Sequence, residues 1–139
     1  MAFPEQHVLA GDAEAINGAW SGSWSEPGGY VFHAEMRLKV GDDGKLEGEI
    51  TWTMKKAPKD ADQSKVGLTG VKLIKGKFDS QSGLLTFEGY QKNDPDDVIG
   101  LDKYKLMLGG NGKVIGGITA DHGTWLGIFR LRRADQPDQ

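Results

Sequence analysis

In Tyr30-Val-Phe-His-Ala-Glu-Met-Arg-Leu-Lys-Val40, apolar and polar side chains alternate almost without exception. Tyr30, Phe32, Ala34, Met36, Leu38 and Val40 share one face; His33, Glu35, Arg37 and Lys39 share the other, with Val31. A period of two residues belongs to an extended chain with one face on a core and one in water. Just upstream, Gly18-Ala-Trp-Ser-Gly-Ser-Trp24 sets Trp20 and Trp24 on one face with Gly22 between them. Downstream, Gly41-Asp-Asp-Gly44 is a turn, and Leu46, Gly48, Ile50, Trp52 and Met54 alternate with polar residues through Lys55.

The same pattern recurs to the end of the chain. The sequence predicts further strands over about 66–78, 84–92, 99–108, 114–120 and 124–133. The turns between them carry Asp79-Ser-Gln-Ser-Gly83, Asn93-Asp-Pro-Asp-Asp97, Gly109-Gly-Asn-Gly112 and Asp121-His-Gly123. The charged segment 56–65, with Pro58, is the longest loop. In the last strand Trp125, Gly127, Phe129 and Leu131 are in phase. In the fourth, Lys72 falls on the apolar face while Val71 and Leu73 oppose it. A bulge or bend near Gly70 is the expected remedy.

Eight strands joined by short connections pair consecutively, and each has one apolar face. The expected fold is all-β, an eight-stranded antiparallel up-and-down β-barrel; a two-sheet β-sandwich is the alternative. Inner-face glycines (Gly22, Gly48, Gly76, Gly89, Gly127) favour the barrel, where small residues let strands bend. The expected organisation is an N-terminal extension (1–16), one barrel domain (17–133) and a polar C-terminal tail (134–139). Asp12 is placed to cap a short helical turn within the extension.

Composition removes several function classes. A net charge of -3 argues against a dedicated nucleic-acid binder, whose footprint is a basic surface. Without cysteine there is no disulfide, thiolate zinc site or thiol catalysis. No apolar run is long enough for a membrane-spanning helix, and the N-terminus is unlike a secretory signal. Cytoplasmic localisation is the expectation.

The chain resembles the calycins, the group of lipocalins, fatty-acid-binding proteins and avidins. The likeness rests on Gly18-Ala-Trp20, similar to the Gly-x-Trp that opens lipocalins, and on a basic residue among Arg130, Arg132 and Arg133. It implies an arginine stacked on Trp20 to close one end of a barrel. It also implies a lumen that takes a small molecule. The chain departs from secreted lipocalins in lacking their disulfides, their Thr-Asp-Tyr-like motif and a helix after the last strand.

The candidate ligand-binding residues are the large inward ones: Trp20, Phe32, Met36, Trp52, Tyr104, Trp125 and Phe129. Aromatic side chains with few polar partners suit an apolar or aromatic ligand, and the same residues equally build a solid core. No catalytic motif is present, and neither cofactor nor metal is expected. His7, His33 and His122 lie in unrelated segments without ligand spacing, and Asp94, Asp96 and Asp97 read as a turn. A barrel enzyme would need a polar group in the lumen. Asp102 and Lys72 are nearest an inward phase, and each reads as an irregularity of register. The leading expectation is a non-catalytic barrel holding a small apolar or aromatic molecule. The alternative is a protein-interaction or accessory module, or a homo-oligomer, working through outer-face residues such as Leu126, Ile128, Val71, Leu73, Leu101 and Met107.

Overall fold

The structure, a computed structural model, describes residues 16–121 and 123–134. The expectations for the N-terminal segment, for His7 and His122, and for the tail beyond Ala134 lie outside them. Eight strands run in order: β1 (Gly18–Ser25), β2 (Val31–Val40), β3 (Lys45–Lys56), β4 (Thr69–Asp79), β5 (Leu84–Asn93), β6 (Lys103–Gly109), β7 (Val114–Asp121) and β8 (Thr124–Arg133). Each pairs antiparallel with the next, and β8 returns to β1, so the sheet closes and no edge remains. Closure rules out the sandwich.

Period-two patterning decides which side chains enter. Phe32, Ala34, Met36 and Leu38 of β2 and Leu46, Ile50, Trp52 and Met54 of β3 are buried, as are Leu85 and Phe87 of β5. Ile16 and Trp20, both fully buried, fill the end of the barrel where the chain enters. There the Trp20 Nε1 donates to the carbonyl of Ile16 at 3.0 Å, and the Arg133 guanidinium lies 4.8 Å from the Trp20 ring centroid. Arg133 also donates to the Asn17 carbonyl at 2.5 Å. The arginine-on-tryptophan contact implied by the calycin likeness is thus formed, and Arg133 is the residue that forms it.

The strands bend where inner-face glycines let backbones approach. A Cβ on Gly22, Gly48, Gly76 or Gly117 would strike the carbonyl oxygen of Arg130, Arg37, Thr86 or Lys105, respectively, in the neighbouring strand. The tight turns match their sequences: Asn111 and Gly112 have φ of 61° and 82°, and Gly44 has φ of 83°.

Three expectations need correction. β4 begins at Thr69, not Val66, because Gln63–Lys65 form a short 3-10 turn capped by the Asp62 side chain. β6 begins at Lys103, because residues 99–102 are drawn into a loop. The irregularity expected near Gly70 is instead in β5: Leu73 faces Gln91 and Ile74 faces Gly89, leaving Tyr90 as the extra residue. β4 itself keeps its alternation, so Lys72 does point inward.

Candidate functional site

The two ends of the barrel differ. One is packed by Ile16, Trp20 and their neighbours. The other carries the longer connections, 57–68 and 94–102, and retains a cavity of about 240 Å³. Its walls include Trp24, Phe32, Trp52, Met54 and Lys72, with Val98 to Gly100 and Asp102 from the loop above.

The aromatic wall follows from cross-strand register. Trp24 of β1 is opposite Phe32 of β2, and Ala34 beside it is opposite Trp52 of β3. The Trp24 ring meets Phe32 edge-on at 5.7 Å and Trp52 at 6.5 Å between centroids. Phe129 lies behind Trp52 at 5.1 Å, and Phe87 stacks on Tyr104 at 4.6 Å. Edge-to-face and offset contacts of this kind hold rings in fixed orientations. The Trp24 Nε1 donates to the Thr119 hydroxyl at 2.8 Å. The Trp52 Nε1 is buried and has no hydrogen-bond acceptor.

A fully buried ammonium enters this apolar setting. Lys72 is 1% exposed, and its ammonium donates to the Tyr104 hydroxyl at 2.6 Å. The Asp102 carboxylate is 3.5 Å away, and the Trp52 and Tyr104 ring centroids are each 5.2 Å from Nζ. A buried ammonium needs such company, because desolvating a lone charge is prohibitive. Gly89 makes the space: a Cβ there would lie 2.6 Å from the Lys72 Cδ. Burial, and then the nearby Asp102 charge, push the Tyr104 phenol well above its usual value, so the hydroxyl stays neutral.

The loop over the mouth is tied down by one carboxylate. Asp94, its side chain out of solvent, accepts from the amides of Val98 at 2.8 Å and Ile99 at 2.9 Å. Burial alone would raise its pKa, but those amides and the Lys92 ammonium outweigh it and hold the carboxyl below its usual value. Lys92 donates to the Ile99 carbonyl at 2.6 Å, and Lys65 to that of Asp97 at 2.9 Å. Gly70 supplies the room, since a Cβ there would come within 2.8 Å of the Asp94 Oδ1. Val98 is thereby set into the core.

The predicted ligand residues therefore divide. Phe32 and Trp52 line the cavity, while Tyr104 and Phe129 stand directly behind it in the ring cluster. Trp20 and Met36 are buried in the core and do not line the cavity. Trp125 is not inward: it is 41% exposed, with the Lys105 ammonium 5.3 Å from its ring. The cause is a bulge in β8, where Thr119 faces Gly127 but Ala120 faces Trp125, so Leu126 is an extra residue and reverses the phase.

Only half of the polar pair has a signal in the alternation. Lys72 is two residues before Ile74 on β4 and shares its inward face, although a charge in that phase reads as an irregularity of register, whereas Asp102 comes from the loop just before β6. The loop's role rests on tertiary contacts and had no signal of its own. Among the described residues no group of three or more His, Cys, Asp or Glu is arranged to hold a metal ion. None of their helices is long and apolar enough to cross a membrane.

No family model matches the chain, and no curated protein matches it. Among solved structures it is similar to a redesigned β-barrel, mFAP1, bound to DFHBI. The TM-score is 0.61 at 11% sequence identity, over 88% of this chain and 98% of that one. At that identity the likeness is one of fold.

Proposed function

We propose that the protein is a non-catalytic barrel that binds a small aromatic molecule at the mouth of its lumen. The observation that carries this reading is the cavity of about 240 Å³ walled by Trp24, Phe32 and Trp52, in a barrel otherwise filled by its own side chains. Concave, mainly apolar sites with a few placed polar groups are where small ligands bind, commonly in the mouths of β-barrels. The volume is below the about 300–1,000 Å³ usual for drug-sized ligands, so it suits a compact ring system better than an extended lipid chain. A similar barrel holding a small ligand, and the calycin likeness of Gly18-Ala-Trp20 with Arg133, are compatible with this use of the fold.

The test is a titration with a panel of small aromatic fluorophores, followed by tryptophan emission and probe displacement. Saturable quenching is expected, because two tryptophans line the cavity. Absence of any saturable change at millimolar probe would sink the reading.

A second reading has its own observation. Met107, Ile118, Trp125, Leu126 and Ile128 are exposed on the outer face of β6–β8, and Ile118 and Ile128 are cross-strand partners. An apolar outer patch suits a protein contact. Sedimentation across a concentration series tests it through self-association: a monomer throughout would count against a homo-oligomer.

A further inference from the structure

An open groove of about 810 Å³ crosses the outer face of the barrel from β3 to β6. Five lysines and two glutamates line it, in a chain whose net charge is -3. Cross-strand register sorts these side chains into two rows. In one, Glu47, Lys75, Glu88 and Lys103 follow one another from strand to strand, so their charges alternate and offset. In the other the order is Lys45, Lys77, Thr86 and Lys105, with no acid between them. Lys45 and Lys77 are direct cross-strand partners, and like charges so placed destabilise a sheet. Lys45 meets Asp43 at 3.9 Å, while among the described residues Lys77 and Lys105 join no ion pair. The lysine row then runs into the apolar patch: Lys105 faces Ile118, and Ile118 faces Ile128, both exposed. Trp125, also in the groove wall, stands at the junction, its ring centroid 5.3 Å from the Lys105 ammonium.

The excess positive charge thus lies along a line about 14 Å long, not over the whole face. A nucleic acid brings no aliphatic groups for Ile118 and Ile128. An anionic membrane would lay its charge over Glu47 and Glu88 as well. An extended peptide is one side chain wide and covers that length with about five residues. We infer that this face docks an extended segment of another protein, with acidic residues along the lysine row and aliphatic or aromatic residues following over Ile118 and Ile128. The inference is independent of the lumen reading. It deepens the outer-surface reading by giving the partner's chemistry.

The probe is the capped peptide Glu-Thr-Glu-Thr-Glu-Thr-Leu-Thr-Phe-Thr-Leu, whose acidic and apolar side chains share one face of an extended chain. It is titrated into the full chain by calorimetry and by amide NMR. Shifts are expected at Lys77, Lys105, Ile118 and Ile128 and not at the lumen residues Phe32 and Trp52. Replacing each Glu of the peptide by Gln should weaken binding about tenfold at low salt, the combined worth of a few exposed ion pairs. Added salt should weaken the acidic peptide and not the Gln one. Replacing its Leu and Phe by Ser should also weaken it. Lys77→Glu should weaken the acidic peptide about tenfold too, while its urea midpoint is no lower than wild type, because a like-charge cross-strand pair becomes an opposite one. That separates lost docking from lost folding. Equal binding of the Gln peptide would leave a purely apolar contact, overturning the inference and sparing the outer-surface reading. Shifts confined to the lumen, tighter binding of oligothymidylate, or cosedimentation with phosphatidylserine vesicles would each overturn it. Binding by none of the peptides overturns it as well and leaves self-association to the sedimentation series.

Discussion

At the scale of single residues, the unusual position is Lys72. Its ammonium is held by Tyr104 and Asp102 among a buried cluster of rings and aliphatic chains. Removing one member of a buried pair leaves the other uncompensated, at a typical cost of about 3–5 kcal/mol. Lys72→Met is expected near the lower limit, because the Asp102 side chain is 17% exposed and can recruit water. In urea unfolding, the Lys72→Met/Asp102→Asn double variant should be clearly less destabilised than the sum of the singles; strict additivity would show that the pair is not coupled. Arg133 matters in another way, at the closed end. Arg133→Ala loses the stack on Trp20 and a hydrogen bond to Asn17, and should cost about 1–2 kcal/mol in the same assay.

Elements and their connections set what could be read from sequence. All eight strands were legible from alternation, because each buries one face and leaves the other in water. Turn chemistry was legible too, where Asn111-Gly112 and Gly44 need positive φ. The bulges were not. Tyr90 and Leu126 are each an extra residue opposite a regular strand, and such an insertion is decided by pairing with a distant segment. The extra Leu126 is why the plain alternation puts Trp125 inside; Lys72 is in phase on a regular β4, and only its charge makes it read as out of place. The loop over residues 94–102 was equally opaque, since its order depends on Asp94 reaching two amides. Asp94→Ala should destabilise the fold by about 1–3 kcal/mol and disorder the loop, seen as faster amide exchange at Val98 and Ile99. Because the folded pKa of Asp94 lies below the ordinary 3.8, its stabilisation is complete above that value and is lost as pH falls through the folded pKa. The Val98 and Ile99 amide resonances should therefore stay fixed down to about pH 4 and move toward unfolded positions only below it.

On the scale of the whole molecule, closure leaves no unpaired strand and sets the cavity at one rim. A ligand that binds only the folded chain raises its apparent stability by about 2.7 kcal/mol at a hundred times its dissociation constant. A rise of that order in thermal melts with a saturating small aromatic ligand is expected for wild type. Met36→Leu should retain it, because Met36 does not line the cavity; loss of the effect in that variant would move the binding place into the packed core. The sealed floor made by Ile16, Trp20 and Arg133 has a kinetic corollary. A blind well has a single doorway, so a newcomer cannot push a resident guest out from behind. Exchange must wait for departure, and the observed swapping rate should level off, independent of how much competitor is supplied.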